Sequence, residues 1–162
     1  MNPCPCGWYT DPRKECHCSS QEIQRYLSKI SGPLLDRIDI HLDVPALKST
    51  EFLEDRQTES SGNIKKRTGR ARQIQQERFK KLGFFANAQM NHRQIKEFCR
   101  LEEESRMLLK KAIEELELSA RSYDKILKIA RTIADLDEQE EIQVGHIAEA
   151  IQYRSLDRNW WG

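Results

Sequence analysis

From Leu101 onward, three apolar stripes at helical spacing follow one another, and they confine this part of the chain to a helical bundle. Leu101, Leu108, Leu109, Ala112, Ile113 and Leu116 share one face of a segment running from Leu101 to Leu118. Glu102, Glu103 and Glu104 suit the positive end of its macrodipole. Ser119 reads as the cap of a helix to about Leu136, with Tyr123, Ile126, Leu127, Ala130, Ile133 and Ala134 turned inward. A further helix spans roughly Val144 to Leu156 through Ile147, Ala148 and Ile151. The joints are short, so neighbouring helices run antiparallel. Apolar residues make up 38% and charged residues 33%, with few aromatics, which suits helices with charged outer faces better than a β-sandwich.

Upstream, Asn91 and Gln94 form a capping-box pattern that starts a short helix through Phe98. A basic helix is expected from Ile64 to Leu82. Between Asn63 and Lys81 it carries Lys65, Lys66, Arg67, Arg70, Arg72, Arg78, Lys80 and Lys81 against Glu77 alone. The preceding Glu51–Glu59 is acidic, so the charge contrast here is steep although the whole chain is only +1. Lys65, Lys66, Arg67, Arg70 and Arg72 are therefore candidate DNA-backbone contacts, and a solvated helix or inter-domain linker is the alternative. Ser49–Asn63 is polar and ends in Ser60-Ser61-Gly62, the pattern of a linker or hinge. No run of about 20 apolar residues is long enough for a membrane span, and no signal-peptide pattern is present.

Before the linker, Ser19 or Ser20 caps an expected helix from Gln21 to about Ile30. After Gly32-Pro33, Ile38, Ile40, Leu42 and Val44 alternate with Asp39, His41 and Asp43, the period of a half-buried strand beginning at Arg37. Arg37 lies between Asp36 and Asp39. Its fixed fork of donors suits phosphate, while a surface ion-pair cluster is the other reading of the same residues. These boundaries divide the chain into 1–48, a linker over 49–63, and a helical domain over 64–162.

Four of the five cysteines, Cys4, Cys6, Cys16 and Cys18, stand in two Cys-x-Cys pairs on a loop rich in Pro and Gly. Two close thiolate pairs can close a tetrahedral zinc site, and four sulfur ligands leave no open position for catalysis. His17 is an alternative ligand and a disulfide the main competing chemistry. A cytoplasmic setting keeps thiols reduced and favours metal. Cys99 sits on an apolar helix face as a small hydrophobe. Ile133–Glu138 imitates an apolar run followed by Asp-Glu, but its helical context makes it a helix end. No G-x-x-x-x-G-K-[ST] phosphate cradle occurs, nor an evident Ser-His-Asp or Cys-His set.

Several blocks then carry a resemblance. Asn2-Pro-Cys-Pro-Cys-Gly7, Ile30-Ser-Gly-Pro-Leu-Leu-Asp-Arg-Ile-Asp39, Leu118-Ser-Ala-Arg-Ser-Tyr-Asp-Lys-Ile-Leu127 and Ala130-Arg-Thr-Ile-Ala-Asp-Leu136 continue to His146-Ile-Ala-Glu-Ala-Ile-Gln-Tyr-Arg154. In that order they resemble the C-terminal part of magnesium-chelatase-like AAA+ ATPases of the ComM/YifB group. The resemblance implies a mainly α chain, an antiparallel helical lid preceded by the Cys-rich loop and a short β-strand remnant of an AAA+ core. It implies that Asn2 is the sensor 1 residue near the γ-phosphate. Arg37 would be the arginine finger acting on a neighbouring subunit's nucleotide, and Arg121 the sensor 2 arginine of the lid. ATP and Mg2+ would be bound in a longer, cytoplasmic, ring-forming protein, a hexamer by family habit, that works on DNA in branch migration or competence. Walker A and Walker B motifs are expected upstream, so this chain alone is expected to be inactive. The cysteine loop sets it apart from subunits that insert magnesium into porphyrin. Two other readings stand beside this one, a stand-alone zinc-containing DNA-binding module and a porphyrin-metal chelatase subunit.

Overall fold

The computed structural model describes residues 1–42, 44, 58–116 and 118–154. They fall into two compact units, one built by the described residues up to 44 and the other by 58–154. The described part is mainly α, with seven helices and one short 3-10 turn.

In the first unit, the Cys-rich loop leads into α1 (Ser20–Leu27). Ser19 caps it, and a reciprocal capping box joins Ser19 to Glu22. The Ser19 N–H donates to Glu22 Oε2 at 2.8 Å and the Glu22 N–H to Ser19 Oγ at 3.3 Å. The helix stops three residues short of the expected Ile30, where the Ile30 N–H turns back to the Leu27 carbonyl at 3.0 Å. The Gly-Pro break is itself a helix start: α2 (Gly32–Leu35) is a single turn capped by Ser31, with Pro33 in its first turn.

The expected strand from Arg37 is not formed among the described residues. Residues 37–42 and 44 pair with no sheet, and Asp43 and Pro45 lie outside the described residues. Ile38 (41% exposed), Ile40 (48%), Leu42 (65%) and Val44 (82%) face solvent, while His41 on the opposite parity is buried. A strand takes its hydrogen bonds and its buried face from neighbours, and no described segment of this chain offers an edge.

The second unit begins with α3 (Ser61–Phe79), three residues earlier than its apolar pattern implies. The Ser60 hydroxyl accepts the Asn63 N–H at 3.2 Å, so the apparent Ser-Ser-Gly hinge is a cap. Residues 49–57 of the expected linker lie outside the described residues. At the far end, Lys80–Leu82 unwind into Gly83, whose φ of +76° closes the turn. A 3-10 turn (Asn87–Gln89), α4 (His92–Phe98), α5 (Glu103–Glu115), α6 (Ala120–Leu136) and α7 (Val144–Gln152) complete the bundle.

The Asn91–Gln94 capping box and the Ser119 cap stand where the pattern puts them. Helix α5 is shorter than expected because Leu101 leaves it to form an isolated parallel bridge with Ile142. Leu156, the expected end of α7, lies outside the described residues. Helix α6 packs against α3, the 3-10 turn, α4 and α7, while α5 packs on α7. Ile126, Ala130 and Ala134 of α6 are fully buried with Ile147 and Ala150 of α7. Phe79 closes one end of the core, its ring centroid 4.4 Å from Phe84 and 5.3 Å from Phe98.

One polar cluster ties this core together. Asp135, with its side chain wholly buried, accepts Arg78 through both guanidinium arms, one at 2.8 Å. It also accepts Asn87 Nδ2 at 2.8 Å and Arg131 Nε at 3.2 Å. Arg131 gives its remaining arms to the carbonyls of Glu140 and Gln139, both at 2.6 Å, and burial holds its pKa below the usual arginine range. The cluster thus joins α3, the 3-10 turn, α6 and the Gln139–Glu140 part of the α6–α7 connection. Asp135→Ala would strand two guanidinium groups, and we expect it to destabilise the helical unit by about 3–5 kcal/mol in a urea titration.

Candidate functional site

The four cysteines converge as their spacing implies. Cys4 Sγ lies 3.3 Å from Cys6 Sγ and 3.7 Å from Cys16 Sγ, with Cys6 and Cys16 3.6 Å apart. All four sulfurs, Cys18 included, fall within 4.8 Å of one another. Cys4 is fully buried, Cys16 and Cys18 are half-buried and Cys6 is exposed. None is in a disulfide. His17 is exposed and is not a member of the group that the four sulfurs make.

The backbone shapes the sulfur cluster. The Gly7 N–H closes a turn on the Cys4 carbonyl at 3.1 Å, with Gly7 at φ +83°, and the Tyr9 N–H donates to Cys4 Sγ at 3.4 Å. A backbone hydrogen bond from Trp8, with smaller help from the neighbouring sulfurs, pulls the Cys6 thiol down to about 6. Cys18 goes the other way: a backbone bond from Cys6 lowers it, but burial and the three other sulfurs push it up to about 12. Cys99, remote in sequence and buried in the helical core, is pushed up to about 12 by burial.

Asn2 is exposed and lies against the Cys4–Gly7 turn, its Nδ2 3.5 Å from where a β-carbon on Gly7 would stand. Arg37 is exposed too, in the turn that ends α2, where its N–H bonds the Leu34 carbonyl at 3.0 Å. It therefore follows a helical turn and does not open a paired strand. Asn2 and Arg37 belong to the first unit and Arg121 to the second.

Arg121 stands exposed in the first turn of α6. That turn is fixed from both sides: Ser119 Oγ accepts the Ser122 N–H at 3.2 Å, and Arg154 Nη2 donates to Ser122 Oγ at 3.1 Å. Arg154 is fully buried. Neither Arg154 nor Asp135 stands out in the sequence as a site residue. An Asp four residues after Arg131 on an otherwise apolar helix face was the available signal for Asp135.

The basic candidates Lys65, Lys66, Arg67, Arg70 and Arg72 are all exposed on α3. Their spacing spreads them around the helix and not along one stripe. Arg67 is held by Glu59 at 3.0 Å and Arg70 by Glu138 at 3.0 Å. A groove of about 640 Å³ between α4, α5 and α6, with Ile95, Leu109, Ile113 and Tyr123 in its lining, contains none of the expected site residues.

The first unit is organised around a sulfur-rich loop and the second is a helical bundle, and comparison with known proteins gives the family to which this pairing belongs. The chain belongs to the magnesium chelatase ChlI-like family: residues 58–154 match the family described as "Magnesium chelatase, subunit ChlI C-terminal", and residues 1–52 match "Magnesium chelatase, subunit ChlI". It is 41% identical over 160 residues to the competence protein ComM of Haemophilus influenzae and 39% identical over 160 residues to YifB of Escherichia coli. A Mycobacterium tuberculosis relative, Rv2897c, is 31% identical over 153 residues. The ComM and YifB matches cover 98% of this chain and the mycobacterial match 94%, but each covers 30% of the relative, so the chain spans under a third of those proteins.

Because the cap at Ser119 supports the turn that carries Arg121, Ser119→Ala should cost about 1 kcal/mol. Thermal unfolding followed by helical circular dichroism measures that loss.

Proposed function

We propose that this chain supplies the C-terminal portion of a ring-forming AAA+ ATPase, a hexamer, that uses ATP and Mg2+ held mainly by the rest of a longer protein. In this reading Arg37 enters the nucleotide site of the neighbouring subunit. Asn2 lies near the γ-phosphate and the attacking water, and Arg121 contacts the γ-phosphate from a helical lid. Charge spreads over the transferred phosphoryl oxygens, and an arginine delivered from outside neutralises it without covalent chemistry.

The observation that carries the reading is the surroundings of Arg37. An exposed guanidinium stands beside Leu34, Ile38, Ile40, Leu42 and Val44, all large apolar side chains left exposed in this chain. A residue that acts in trans has to lie on surface that is covered on assembly, and this apolar run is surface that the rest of the longer protein or a second subunit would cover. Replacing Arg37 by Ala in the full-length protein should lower kcat by about 10³–10⁵ while leaving ATP binding intact. Turnover at the normal rate would remove Arg37 from the reaction. Arg121→Ala should weaken ATP about 10- to 100-fold, as loss of a charge-assisted hydrogen bond implies; unchanged affinity and rate would dismiss the lid role.

DNA is the substrate this reading favours, in branch migration or uptake within the cytoplasm. Its support is the basic α3 together with a relative named for competence. No described helix is long and apolar enough to cross a membrane. The second reading, a stand-alone DNA-binding module, draws on the same helix, since every residue of Ser61–Arg70 is exposed. A salt titration of duplex binding by this chain without nucleotide separates the two. Tight binding that falls with a log–log slope of about −0.9 for each phosphate neutralised favours the module. Weak binding with little salt dependence favours the ATPase reading.

A further inference from the structure

We infer that Cys4, Cys6, Cys16 and Cys18 hold one structural zinc ion, and that this ion fixes the loop on which Asn2 rests. A tetrahedral zinc with sulfur at about 2.3 Å separates its ligands from one another by about 3.8 Å. Three of the sulfur pairs here stand at 3.3, 3.6 and 3.7 Å, and all four sulfurs lie within 4.8 Å of one another. A disulfide would draw two of them to about 2.0 Å, and no pair is near that.

The surroundings point the same way. Helices α1 and α2 bury no residue, and Cys4 and His41 are the buried side chains among the described residues of the first unit. Among the described residues of this unit the sulfur cluster is thus the packed centre, with almost no apolar core beside it. Segments of this size generally rely on a metal or disulfides for order. Four soft thiolates select a soft, tetrahedral ion, and with all four positions filled no water can be activated. Binding is balanced as four thiols plus Zn2+ giving a tetrathiolate of charge −2 and four released protons. The Tyr9 N–H aimed at Cys4 Sγ offsets part of that charge, as hydrogen bonds to metal-bound sulfur do. His17, between two of the ligands, takes no place in the cluster.

Asn2 precedes the first ligand by two residues and packs on the Cys4–Gly7 turn, which carries the first two ligands. An ion that locks Cys4 and Cys6 therefore locks the seat of Asn2 as well. The assignment goes beyond the nucleotide reading and needs no nucleotide to test.

The test uses the whole 162-residue chain purified under reducing conditions. Elemental analysis should give one zinc per chain, and exchange into cobalt(II) should give the sulfur-to-metal charge-transfer bands of a four-thiolate tetrahedron. Cys4→Ser and Cys16→Ser should each lose stoichiometric zinc, while Cys99→Ser and His17→Ala keep it. The cobalt spectrum comes from the unaltered chain, so misfolding of a variant does not obscure the result. Stripping the ion with a chelator should speed trypsin cleavage after Arg13 and Lys14, which lie in the loop. Zinc well below one per chain with four reactive thiols, iron in place of zinc, or loss of metal in His17→Ala would overturn the site. Cleavage unchanged by stripping would overturn its hold on the loop. None of these outcomes bears on ATP turnover, so the two proposals fail separately.

Discussion

The helical unit depends on one carboxylate. Asp135 is the meeting point of Arg78 from α3, Asn87 from the 3-10 turn and Arg131 from its own helix, with no solvent to share the charge. Two guanidinium groups around one carboxylate leave a surplus positive charge, which the carbonyls of Gln139 and Glu140 at 2.6 Å offset through Arg131. Such a cluster adds little net stability over an apolar replacement, but it tolerates only one arrangement of its parts. Apolar faces of α3 and α6 could slide by a turn at modest cost. A buried carboxylate that must meet three donors cannot. The register of the basic helix on α6 is therefore set by polar geometry and the depth of packing by the aliphatic residues.

That register matters at the other end of α6. The helix has 17 residues, roughly 25 Å at 1.5 Å per residue, with Asp135 near its C-terminus and Arg121 in its first turn. Buried residues run along nearly its whole length, from Ser122 to Asp135. Arg154 on Ser122 Oγ ties the first turn to the segment just after α7. Arg121 thus has a rigid mount, and displacing its backbone means moving the whole unit. A side chain mounted in this way can report a change at a nucleotide only by carrying the bundle with it, which is the mechanical requirement of a lid arginine in the proposed ATPase.

The helices from Asn91 onward were legible because each starts with a local device and continues with an apolar stripe. The Asn91–Gln94 box, the Ser119 cap and the inward face of α6 all stand as the pattern reads. The errors fall where local and tertiary signals compete. Ser60-Ser61-Gly62 has the composition of a hinge, yet a serine ahead of a helical segment is also a cap, and the cap prevailed. Ser31-Gly32-Pro33 was the same case, with Pro33 opening a turn of helix. Leu101 fits the stripe of α5 but gains a backbone bridge to Ile142 by leaving it. The convergence of the cysteines was legible from their spacing. Beyond the Arg131–Asp135 spacing, the Asp135 cluster and the burial of Arg154 were not, because Arg78 and Asn87 lie 57 and 48 residues from Asp135, and Arg154 lies 32 from Ser122, so only the fold brings them together.

The segment after α2 is the instructive disagreement. Its alternation is that of a strand, and the structure exposes the apolar parity. Exposure rises along it from 41% at Ile38 to 82% at Val44. Covering side chains of this kind is worth about 1.5–3 kcal/mol each, so the pattern is stable only with something laid against it. The apolar alternation and Arg37 share the same few residues, so whatever surface covers Ile38 and Ile40 also fixes where the guanidinium reaches. In the proposed ring, burying the ridge and delivering the arginine to a neighbour's nucleotide would be a single event. Assembly would then be a condition of catalysis and not merely its setting, because a subunit without a covering partner holds Arg37 on a surface with nothing to act on.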